Sequence, residues 1–123
     1  MDNKESNANK EKIDSLYPIE VEALYSAIKN HCQKSDIDTT TIVSITITLM
    51  QVIESYKKLT GNQKKSIVLH TLQKYVNDEV VNLNNKIKIL SFINKLLPPI
   101  IDTFISIDKQ DIQIAIKSCC NLV

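Results

Sequence analysis

The sequence predicts an all-α fold, a single small bundle of four to six helices. Three observations carry this. Apolar residues recur at helical spacing in five stretches. The chain of 123 residues holds one glycine and three prolines, too few breakers for the many turns of an all-β domain. Turn signals gather only near positions 35, 61, 82, 98 and 109. The length fits one domain, and 43% hydrophobic with 24% charged residues fits a globular one.

Residues 1–15 are expected to form a disordered tail and residues 16–123 the helical domain. The first fourteen residues carry seven charges and three Asn, too little apolar area to offset ordering entropy. The first helix begins near Tyr17-Pro18, since proline suits a first turn and Glu20 and Glu22 suit its positive end. Its expected apolar stripe is Ile19, Leu24, Ile28 and Cys32, with Val21 and Tyr25 beside it, and it ends before Ser35. The second helix is capped by Asp36 or Asp38. Ile42, Ile45, Leu49, Val52, Ile53 and Tyr56 follow helical spacing, although Ile45 to Leu49 also alternates as a strand would. The stripe continues for four turns, which favours helix.

Thr60 and Gln63 have the capping-box spacing, so a third helix is expected from the Gly61 junction to about Asp78. Gly61 alternatively terminates the second helix. The third stripe is Lys65 (stem), Leu69, Leu72, Val76 and Val80, flanked by Val68 and Tyr75. A fourth helix starts near Leu83 with the stripe Leu83, Ile87, Leu90, Ile93 and Leu97. Pro98-Pro99 must interrupt or kink it. Ile100, Ile101, Phe104 and Ile105 then share one side of a fifth helix. Asp111 to Cys120 offers a last helical face, Ile112, Ala115, Ile116 and Cys119, but its isoleucines also alternate and its type stays open.

Composition excludes several functions. All fifteen basic residues are lysine. Without arginine the chain lacks the commonest bidentate reader of guanine and phosphate. Residues 1–59 have seven Lys and nine acids, net −2, and residues 60–123 have eight Lys and five acids, net +3. Neither half builds the strong positive field of a nucleic-acid module. One glycine rules out a glycine-rich phosphate loop. No apolar signal core is expected in the first fifteen residues, and the longest charge-free stretch, Thr39 to Ile53, is too short and hydroxyl-rich to span a bilayer. Three cysteines fit a reducing compartment.

No catalytic, cofactor or metal site is expected. His31 and Cys32 are adjacent and diverge around a helix, and His70 reads as a helix-surface histidine. The spacings of His31, Cys32, His70, Cys119 and Cys120 match no zinc motif. Two other signals remain. Lys57, Lys58, Lys64 and Lys65 surround the Gly61 junction and are a candidate polyanion contact, with only Tyr56 as an interleaved aromatic. Cys120-Asn121-Leu122-Val123 formally fits a C-terminal lipidation box, with Cys119 a second acyl site, but Asn121 and Val123 are unusual there.

The segment Met50 to Val76, MQVIESYKKLTGNQKKSIVLHTLQKYV, together with Leu96 to Lys109, LLPPIIDTFISIDK, and the terminal Lys117-Ser118-Cys119-Cys120, resembles small helical proteins of large DNA viruses of protists. The abundance of Ile, Lys and Asn, 45 of 123 residues, suits AT-rich genomes of that kind. Asp108-Lys109-Gln110-Asp111 departs from the S-K-G-K those proteins often carry. The resemblance implies a helical protein of the host cytoplasm or the virion and brings no residue roles with it.

The functional expectation rests on apolar surplus. Between Leu83 and Ile107 thirteen large apolar residues spread round more than one face, where a surface helix needs a stripe of about 100°. A non-enzymatic protein that self-associates or docks a protein partner is expected, with Ile89, Phe92 and Leu96 as the partner face. The alternatives are weak nucleic-acid binding through the lysine cluster and peripheral membrane attachment through Cys120.

Overall fold

The structure, a computed structural model, describes residues 13–32 and 37–106, and all of its regular elements are α-helical. They are α1 (Pro18–Cys32), α2 (Thr39–Ile53), α3 (Gly61–Glu79), α4 (Leu83–Lys95) and α5 (Leu97–Ser106). The fold is all-α, as the spacing predicts. A helical turn over residues 13–16 precedes α1, with Ile13 against the core. Order therefore begins before the expected tail boundary at residue 15. The segment 111–120, with its undecided helix or strand character, and Cys119 and Cys120 lie outside the described residues.

Local chemistry explains the starts. Asp38 caps α2, its carboxylate accepting from the Thr41 amide at 2.8 Å and the Thr41 hydroxyl at 2.8 Å. The alternation within residues 45–49 does not prevail. Thr46 returns its hydroxyl to the Ile42 carbonyl at 2.7 Å, so a buried β-branched residue sits in the helix with its polar atom satisfied. Thr60 and Gln63 form the full capping box: the Gln63 amide donates to Thr60 Oγ1 at 3.2 Å and the Thr60 amide to Gln63 Oε1 at 2.8 Å. Gly61 thus opens α3, and it does not close α2, which ends six residues earlier than the Leu59 junction. Tight turns cover the gap, through Ser55 to Val52, Tyr56 to Ile53 and Leu59 to Tyr56. Asn82 caps α4 by accepting from the Asn85 amide at 2.9 Å.

α2 and α3 form the central pair. α1 packs into the groove on one side of them, and α4 with α5 on the other; α1 makes no comparable packing with α4 or α5. Chain direction follows from cross-links. Asp14 meets His70 and Tyr25 meets Asp78, so α1 and α3 run the same way. The Asn85 side chain donates to the Ile37 carbonyl, which puts the α1–α2 and α3–α4 connections at one end. Lys65 meets Asp102 at the other. α4 and α5 together are one descending arm, bent by 42° at Leu96. Pro98 and Pro99 fall in the first turn of α5, where a missing amide costs nothing, so the interruption expected there becomes a bend.

The core corrects the stripes in phase. On α1 the buried row is Val21, Leu24, Ile28 and Cys32; Ile19 is exposed. α3 buries Ile67, Val68, His70, Thr71, Leu72, Tyr75 and Val76, a width its central position demands. His70 is not the surface histidine expected, because α1 and residues 13–16 cover that face of α3. On the arm one row spaced by four, Ile89, Ile93, Leu97 and Ile101, faces inward and continues straight through the bend. Leu83 and Ile87, expected on this row, are exposed, whereas Ile89, expected on the partner face, is core.

Candidate functional site

Three surface features result from this packing. The first is a polar groove of about 670 Å³ where α1 lies along α3, lined by Asp14, Glu22, Tyr25, Lys29, Lys74 and Asp78 among others. Tyr25 is its centre. Its hydroxyl donates to Asp78 Oδ2 at 2.9 Å, and its ring stands edge-on to Tyr75 with centroids 5.4 Å apart. Lys29 Nζ and Lys74 Nζ lie 5.3 and 5.9 Å from the Tyr25 centroid, within cation–π range. Burial, and then the hydrogen bond to Asp78, push the Tyr25 hydroxyl well above the usual tyrosine range. It stays protonated as a donor and offers no base at neutral pH. Three acids face two lysines here, so the walls largely neutralise one another.

Behind the groove, His70 is 6% exposed and its Nε2 lies 2.8 Å from Asp14 Oδ1. Its Nδ1 is buried without a hydrogen-bond partner among the described residues. The pair ties residues 13–16 onto α3, and no nucleophile borders it. Cys32 is buried, and desolvation raises its thiol despite an opposing hydrogen bond with Tyr75. No cluster of three His, Cys, Asp or Glu suited to a metal ion occurs among the described residues. Packing does join one pair the sequence hid. Ser44 Oγ lies 3.5 Å from His31 Nε2, across α1 and α2. That separation is too long to activate a hydroxyl, and the pair is exposed.

The second feature is the lysine junction, which the fold divides. Lys64 pairs with Glu54 at 3.3 Å and Lys65 with Asp102 at 2.8 Å. Lys57 and Lys58 stand exposed in the turns after α2. Half of the candidate polyanion contact is therefore already matched by carboxylates.

The third feature is apolar. Of the expected partner face, Ile89 is fully buried and Phe92 is partly buried, so only Leu96, 58% exposed, reaches solvent. The surplus lies elsewhere on the same helix. Leu83 and Ile87 are 67% and 57% exposed, Val81 just before them is 95% exposed, and Leu90 continues the strip partly buried. Ile87 and Ile89 are two residues apart, hence about 200° apart around α4, which is why burying one bares the other. Lys86, Lys88 and Lys95 are the only charges on α4. A second strip sits where α1 begins, Leu16 and Ile19 at 56% and 71% exposure, among Asp14, Glu20 and Glu22. The unbroken four-residue spacing from Ile89 to Ile101 was the sequence signal that distinguishes the inward row from this strip.

No single described helix is long and apolar enough to cross a membrane; α4 and α5 pass on length and composition only as a bent pair. No protein-family model, curated protein or solved structure matches the chain.

Proposed function

We propose that this chain is a non-enzymatic interaction protein that docks another polypeptide on the outer face of α4. The reading rests on one observation: α4 keeps a strip of large apolar residues in water, Leu83 and Ile87, extended by Val81, and flanks it with lysines alone. Isolated exposed apolar residues are ordinary, but a row along one helix face rimmed by one sign of charge has the form of a helix-docking surface. The polar groove beside Tyr25 supports no rival catalytic reading, since its tyrosine is held protonated and its charges are internally matched. By the resemblance to viral proteins, the place of action is an infected host's cytoplasm or the virion.

A photo-crosslinking benzoylphenylalanine placed at Ile87 tests this in native cells, with the same group at exposed Asn30 on α1 as control. Ile87 should yield a discrete crosslinked species, identified by mass spectrometry, that Asn30 does not. No species specific to Ile87 would sink the reading.

A further inference from the structure

Charge decides which polypeptide fits this surface. The strip on α4 is rimmed by Lys86, Lys88 and Lys95 with no acid on that helix. The strip at the start of α1 is rimmed by Asp14, Glu20 and Glu22, and the first lysine of α1 is Lys29, three turns on. The two strips are therefore complementary: each offers two or three large apolar side chains, and their borders carry opposite sign. They cannot meet within one molecule. α1 and α4 flank opposite sides of the α2–α3 pair, and the start of α1 lies at the end of the bundle remote from the start of α4.

We propose that a second copy of this chain occupies α4, bringing the start of its own α1, with Leu16 and Ile19, onto Leu83 and Ile87. This rests on the docking reading above and names its occupant. A symmetric contact of α4 with α4 would set three lysines against three lysines, and one of α1 with α1 would set acids against acids; both are disfavoured by like-charge repulsion. A head-to-tail contact removes both problems. Such a contact is heterologous, so each added copy leaves one strip of each kind open, and growth passes beyond the dimer into a ring or a filament. The apolar strips supply the attraction and the charged rims set orientation, so salt should weaken the contact without abolishing it.

Light scattering on the full chain across a concentration series, with two single variants, tests the idea. Ile87→Asp spoils the α4 strip and leaves α1 intact; Ile19→Lys does the reverse. Both positions are exposed, and circular dichroism checks that both variants fold. The wild type should grow past a dimer with concentration, with association weakened roughly tenfold by raising salt from about 0.1 to 0.5 M. Each variant alone should stay monomeric. An equimolar mixture should form a one-to-one heterodimer and stop there, because one good contact remains. A wild type that stays monomeric at every concentration overturns the proposal, while an Ile87 crosslink to a different protein would still support docking. A wild type that stops at a dimer, with no heterodimer in the mixture, overturns it in favour of a symmetric interface.

Discussion

Gly61 is held by a neighbour rather than by its own backbone. A Cβ built there would lie 2.7 Å from Ile105 Cγ2, a methyl on a β-branched side chain with little freedom to turn away. The end of α5 closes onto the start of α3 through the space this hydrogen leaves. Gly61→Ala, which raises helix propensity, should therefore destabilise the protein, by about 1–2 kcal/mol of overpacking, as read from the shift in urea midpoint. Asp38 acts through its charge. Its carboxylate is held below the usual range by the Thr41 amide and hydroxyl it accepts from in the folded chain. A group whose folded value is depressed stabilises above its ordinary value and loses that contribution as pH falls through the folded one. Wild type should therefore lose thermal stability between about pH 5 and pH 3 more steeply than Asp38→Asn, whose neutral amide caps α2 without titrating. Parallel curves would show that the cap carries no pH dependence.

At the scale of elements, the number, order and ends of the helices were legible because each is written locally. The Pro18 start, the T-x-x-Q box before α3, the start of α4 near Leu83 and the break at Pro98-Pro99 all depend on residues a few positions apart. Which side of each helix faces inward was less legible, because it depends on neighbours distant in sequence. Ile19 and Val21 both fit an apolar stripe, and only the placement of α1 against α2 and α3 selects Val21. On α4 the row begun at Leu83 and the row through Ile89 are equally helical. The second wins because it alone continues in phase into α5. The candidate partner face inherited that error at Ile89, while the existence of an apolar surplus survived it. His70 escaped recognition because its partner, Asp14, lies 56 residues away in a segment too polar to suggest packing. A pair of truncations separates the two rows. Ile93→Ala should cost about 3 kcal/mol, the price of a core cavity, whereas Ile87→Ala should stay within about 0.5 kcal/mol in the same denaturation series. Equal losses would restore the outer row to the core.

For the whole molecule, the arrangement of two flanking layers about α2 and α3 has a consequence for motion. α3 packs against every other helix, whereas α1 is held only by α2, α3 and the Asp14, Tyr25 and Tyr75 contacts. α1 can lift away without disturbing the descending arm, and the arm can loosen without disturbing α1. Native-state hydrogen exchange should accordingly resolve at least two opening units. Amides of α3 should exchange only at the free energy of global unfolding. Those of α1 should open below it, and Asp14→Ala should accelerate α1 while leaving α4 and α5 unchanged. Uniform protection through all five helices would mean that the bundle opens as one body. If α1 opens alone, the molecule has a hinged outer leaf that travels independently of the other flank, and any chain of copies joined through that leaf would bend at each junction instead of standing as a rigid rod.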